Sequence, residues 1–108
     1  MIGGGNPEAA NKHYATAMEH EENGFRIGAI EELRLAVQQG ANPEHKFQLA
    51  YLLDLVGEEK EAIGLYESIT NADRPHINAL LNLAVIYEDN GQLPAAEKCL
   101  RQILDTDP

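Results

Sequence analysis

Four histidines and a single cysteine are the residues of this chain best suited to metal or nucleophilic chemistry. His13 and His20 stand seven positions apart, about 10 Å along a helix, which is too far to share one metal ion. His45 and His76 fall near expected helix starts and are read as solvent-facing. Cys99 has neither a helix N-terminus nor a histidine near it in sequence, the settings that lower a thiol's pKa and make it a nucleophile. Glu31–Glu32 and Glu58–Glu59 are adjacent carboxylates, and sequence neighbours on a helix do not face each other. No glycine-rich phosphate loop, zinc-ligand spacing or nucleophile elbow occurs. The inventory argues against an enzyme and calls for no metal or other cofactor.

The composition points instead to a binding role. Lys and Arg number 8 against 18 Asp and Glu, a net charge of −10. Charge of that sign disfavours direct contact with nucleic-acid phosphates or anionic lipid and favours basic partners. With Cys99 alone there is no internal disulfide, which fits a reducing, cytoplasmic setting. No run of 18 apolar residues and no charged-then-apolar N-terminus is present, so neither a membrane span nor a signal peptide is visible. Residues 1–6, opening Met1-Ile2-Gly3-Gly4-Gly5, read as a disordered linker or cloning remnant, and residues 7–108 as a single domain. The stop at Pro108, where a repeat closes, suggests a piece of a longer protein.

The elements that would position any site announce themselves by repetition. Gly24, Gly57 and Gly91 recur at nearly constant spacing, and the residues around them keep the same offsets. The third copy reads Leu80-x2-Leu83-Ala84-x2-Tyr87, Gly91, Ala96-x3-Leu100, Ile103 and Pro108. The second reads Lys46-x2-Leu49-Ala50-x2-Leu53, Gly57, Ala62-x3-Tyr66, Ile69 and Pro75. The first is the most worn: His13-x2-Thr16-Ala17-x2-His20, Gly24, Ala29-x3-Leu33, Ala36 and Pro43. A fixed period in the thirties marks stacked supersecondary units. This pattern resembles the tetratricopeptide repeat from about Ala10 to the end, with Leu80 at that family's usual tryptophan and Leu100 at its phenylalanine or tyrosine.

The resemblance implies an all-α fold, a right-handed superhelix of three antiparallel helix-turn-helix units at about 10–42, 43–76 and 77–108. Helix starts are predicted at Pro7 behind Asn6, at Pro43 behind Asn42, and around Asp73 and Pro75. The first helix of each unit should end at its glycine, which takes the left-handed conformation most easily. The second helices should run over 26–39, 59–71 and 94–105. In the third unit, Leu80, Leu83, Ala84 and Tyr87 form a core stripe, Ala79 and Ile86 face the preceding unit, and Leu81 and Val85 point to the inner surface. His20 falls at a position the repeat packs inward.

In this family the inner faces of the first helices line a binding groove. Residue by residue, that lining becomes Asn11, Tyr14, Met18 and Glu21, then Glu44, Phe47, Tyr51 and Asp54, then Asn78, Leu81, Val85 and Glu88. Phe47 and Tyr51 are the natural partner anchors, since exposed aromatics concentrate binding energy. Glu21, Glu22, Asp54, Glu88 and Asp89 fall in the last turns of these helices, against the helix dipole, and suggest an acidic ridge. The family's carboxylate clamp for chaperone C-termini is not matched, because Tyr14, Met18, Gln48, Asn78 and Asn82 occupy its places without a cation. The reading is a non-enzymatic scaffold that binds a basic or amphipathic protein segment. Alternatives are a structural spacer or self-association module, with Leu100, Ile103 and Leu104 as a face for a homodimer, and a regulatory repeat domain. The last rests on residues 77–89 and 101–105, which look like bacterial repeats that precede a domain related to the C-terminal domain of the RNA polymerase alpha subunit.

Overall fold

The computed structural model describes residues 5–40, 42–71 and 75–106. Among them are six α-helices and no strand: α1 (Pro7–Glu22), α2 (Arg26–Gln39), α3 (Pro43–Leu55), α4 (Glu59–Thr70), α5 (Ile77–Asp89) and α6 (Leu93–Thr106). This is an all-α helical-repeat fold. The chain divides into two compact units, Met1–Ala62 and Ile63–Pro108, with the division inside α4.

Local chemistry explains most helix ends. The Asn6 side chain accepts from the backbone N–H groups of Glu8 at 3.0 Å and Ala9 at 3.2 Å, and Pro7 takes the first helical position. Asn42 and Pro43 repeat this at α3, with acceptance from Glu44 at 2.8 Å and His45 at 3.4 Å. Each cap satisfies N–H groups that have no intrahelical partner. α5 departs from expectation. Its N-cap is His76, whose Nδ1 accepts from the Ala79 N–H at 3.2 Å, while Asp73 lies outside the described residues. An imidazole acceptor thus does what the sequence pattern assigns to a carboxylate.

The three repeat glycines end α1, α3 and α5 in the same way. Gly24, Gly57 and Gly91 have φ of 76°, 89° and 75°, the left-handed region in which any side chain is strained. Their N–H groups donate to the carbonyls of Glu21, Asp54 and Glu88 at 3.1, 3.1 and 3.0 Å. The next residues, Phe25, Glu58 and Gln92, donate back to His20, Leu53 and Tyr87, each at 2.8 Å. This double closure is the Schellman motif. Only the first turn adds an apolar contact, the Phe25 ring standing edge-on to half-buried His20 with centroids 5.2 Å apart. Gly28 makes room for that ring, since a Cβ there would lie 2.6 Å from it.

In the first unit α1 packs on α2, and α2 on α3. Its buried residues include Ala10, Ala17, Ala29, Leu33, Ala36, Leu49, Leu52 and Leu53, with alanines where close helix approach needs small side chains. Arg34 of α2 grips Glu61 of α4 through both guanidinium nitrogens, one of them at 3.0 Å. At Gly5 a Cβ would meet the Gln39 backbone, and the Asn6 N–H donates to Gln39 Oε1 at 3.0 Å. Of the expected linker, residues 1–4 lie outside the described residues. In the second unit α5 packs on α6, and the buried residues of these two helices include Leu80, Leu83, Ala84, Ile86, Ala96 and Cys99. Tyr87, expected in the core stripe, is half-buried, and its hydroxyl donates to Glu67 Oε2 at 2.7 Å.

Candidate functional site

The candidate lining residues follow one spacing on all three helices, i, i+3, i+7 and i+10, which keeps them on one helical face. None of the twelve is buried. On α5 all four, Asn78, Leu81, Val85 and Glu88, are exposed. On α3, Glu44 and Tyr51 are exposed, while Phe47 and Asp54 are half-buried. On α1 only Asn11 is exposed, and Tyr14, Met18 and Glu21 are half-buried. At the edge of this face, half-buried Asn82 donates its amide to the hydroxyl of fully buried Tyr66 at 3.0 Å. An exposed apolar pair therefore sits on a helix whose other positions already fill the core.

The first unit holds an arrangement that sequence reasoning places wrongly. His45, expected at the surface, is buried at 3 % exposure. Its ring stacks on Tyr14 of α1 with centroids 4.5 Å apart and 20° between planes. Proline at the first helical position sets the start of α3, and two residues later the chain turns His45 toward α1. His45 Nδ1 is buried with no hydrogen-bond partner among the described residues. Burial lowers the His45 pKa, with the Glu44 carboxylate acting the other way. Burial raises the Tyr14 phenol, and Glu44 adds to the rise. The repeat frame held the signal, since His45 stands as far before Gly57 as Ala79 does before Gly91, but it does not name the Tyr14 contact, which spans separate helices.

Glu21, Asp54 and Glu88 each offer their backbone carbonyl to the following glycine, so the three carboxylates occupy one repeat position. Glu21 Oε2 is buried without a hydrogen-bond partner among the described residues.

The second unit contains a cavity of about 340 Å³ among α4, α5 and α6, with Leu80, Leu83 and Cys99 in its wall. The Tyr87–Glu67 hydrogen bond lies on this wall, and burial together with that bond pushes the Tyr87 phenol up to about 12. Burial, with help from the Glu67 carboxylate, also raises the Cys99 thiol. A raised, buried thiol is a poor nucleophile. No group of three or more His, Cys, Asp and Glu placed to hold a metal ion occurs among the described residues. No described helix is long and apolar enough to cross a membrane. The self-association candidates are open on α6, with Leu100 and Leu104 exposed and Ile103 half-buried.

Comparison with known proteins agrees with this geometry. The family model described as tetratricopeptide repeat matches residues 55–108. A solved structure titled "Crystal structure of MamA" superposes with a TM-score of 0.84 at 22% identity, over 92% of this chain and 58% of that one. The chain thus spans less than two-thirds of the MamA chain, and the likeness is one of fold. No curated protein is a significant match.

Proposed function

The chain belongs to the tetratricopeptide-repeat family, and on that premise we propose that it is a non-catalytic protein-interaction module whose first-helix faces bind a basic or amphipathic segment. The carrying observation is on α5. Leu81 and Val85 stand exposed while Leu80, Leu83, Ala84 and Ile86 of the same helix fill the core. Packing within the unit therefore leaves two aliphatic side chains in water, one helical turn apart and flanked by Asn78 and Glu88. Tyr51 is similarly exposed on α3. The in-register acids and the net charge of −10 support a partner with positive charge.

Fluorescence anisotropy with labelled amphipathic peptides, one rich in lysine and arginine and one with those residues replaced by glutamate, tests this. The basic peptide should bind more tightly and weaken with added salt, since charge attraction is screened beyond about 10 Å at 0.1 M. Leu81→Ser with Val85→Ser, and separately Phe47→Ala with Tyr51→Ala, should each weaken it at least tenfold while helicity is kept. Equal binding of both peptides, or indifference to both double substitutions, would overturn the proposal.

A further inference from the structure

The cavity of the second unit carries two opposite charges that do not pair with each other. Glu67 lines it from α4 and Lys98 from α6, both exposed to solvent. Among the described residues no ion pair joins them, and Lys98 has no salt-bridge partner. Glu67 gives Oε2 to the Tyr87 hydroxyl at 2.7 Å and keeps Oε1 open. Both charges act on the Cys99 thiol in the wall, the carboxylate raising its pKa and the ammonium lowering it, so each stands near the same sulfur. The floor is apolar and closed to water, with Leu80, Leu83 and Cys99 only 1 %, 2 % and 6 % exposed.

Two hydrogen bonds hold the three helices around this space. Tyr87–Glu67 ties α5 to α4, and Gln102 Nε2 donates to the Thr70 carbonyl at 3.1 Å, tying α6 to α4. With its pKa raised to about 12, the Tyr87 phenol keeps its proton and goes on donating at neutral pH. The Thr70 carbonyl belongs to the last turn of α4, the negative end of the helix dipole, so this wall favours a cation beside Glu67. At about 340 Å³ the cavity lies at the small end of ligand sites, about 300–1,000 Å³, with room for a compact molecule and none for a helix.

We propose that this cavity binds a small zwitterion with an aliphatic side chain, an α-amino acid such as leucine. Its ammonium sits between Glu67 and the end of α4, its carboxylate turns to Lys98, and its side chain covers Leu80, Leu83 and Cys99. The split charges carry the choice. A simple anion gains Lys98 but meets repulsion from Glu67, and a simple cation meets the converse, whereas a molecule with both charges is attracted on both sides. The site does not rest on the peptide-binding reading. On α5 it uses Leu80, Leu83 and Tyr87, while the proposed peptide face presents Leu81 and Val85 to solvent.

The test is calorimetric titration of the full chain with leucine and with its two halves, isocaproate, which lacks the ammonium, and isoamylamine, which lacks the carboxylate. Leucine should bind saturably with a Kd of about 1 mM or tighter, and each half at least tenfold more weakly. Glu67→Gln, which can still accept from Tyr87, and Lys98→Gln should each weaken leucine at least tenfold, and both change exposed side chains that folding does not need. Ala95→Leu, which fills the cavity without altering charge, should do the same. Leucine should also slow the exchange of Cys99 with an aromatic disulfide, an effect that a molecule bound elsewhere would not produce. Leu81→Ser with Val85→Ser should leave leucine binding unchanged, which separates this site from the peptide face. The proposal is overturned if leucine does not saturate, if either half binds as tightly, if both charge substitutions are without effect, or if the double serine variant loses leucine.

Discussion

α3 and α5 occupy the same place in successive repeats, and at one shared position they bury opposite chemistry. The first unit puts the His45 imidazole there, stacked on Tyr14 with a ring nitrogen left unbonded; the second puts the Ala79 methyl. Two turns later both bury an aliphatic side chain, Leu52 or Ile86. The repeat frame thus decides which positions lose water, and it leaves open what that loss costs. An alanine there is indifferent to pH, whereas a buried imidazole resists protonation.

The largest expected effects fall on the shared aliphatic positions. Leu52→Ala and Ile86→Ala should each cost about 2–5 kcal/mol, the range for deleting a buried branched side chain. Urea unfolding followed by circular dichroism would measure both. A cost well under about 1 kcal/mol at either would break the equivalence of the two helices as core elements.

The turns come next. Gly57→Ala and Gly91→Ala place a Cβ at φ of 89° and 75° and should each cost about 1–2 kcal/mol, from strain rather than crowding, since nothing lies within 4 Å. Gly40→Ala is the control, because φ there is −176°, extended backbone open to any residue. Thermal melts in which all three substitutions cost the same would refute the strain argument.

The smallest effect sharpens the comparison most. The folded His45 pKa is lowered below its unfolded value of about 6.5, so above that pH the ring is neutral in both states and contributes no pH dependence. Below it the unfolded chain takes up the proton more readily, and stability falls as pH drops. Glu44 beside the ring works against this, and Tyr14 across it carries no charge in this range. Melts at pH 7.5 and 5.5 should show a loss that His45→Ala, which makes α3 resemble α5, reduces. Buried Cys99 reports on the second unit through its rate of exchange with an aromatic disulfide, and should stay protected over the same interval. If His45→Ala leaves the pH dependence intact, the imidazole is not its source.

Much of this architecture was legible because it is written in short-range terms. Asn6–Pro7 and Asn42–Pro43 fix backbone angles and supply acceptors within three residues, and the helices begin there. Gly24, Gly57 and Gly91 are needed where the chain turns left-handed, and no partner across the molecule is involved. The face carrying Leu81 and Val85 also follows from spacing alone, since Leu80, Leu83, Ala84 and Ile86 claim the remaining inward directions. Its counterparts on α1 and α3 are less open. Tyr14 is drawn half under His45, and no periodicity reports that.

The chain by itself determined its repeat phase, its helix boundaries to within a residue or two except at the start of α5, and its three glycine turns, because these depend on φ, ψ and hydrogen bonds between near neighbours. Only the tertiary structure decided that His45 stacks on Tyr14, that His76 caps α5, that Tyr66 meets Asn82, and that Arg34 grips Glu61. The first, third and fourth of these join residues from different helices, and the second turns on which of several polar side chains reaches the helix end. Desolvation and pairing follow from what lies across the gap between helices, and that distance along the chain carries no local signal.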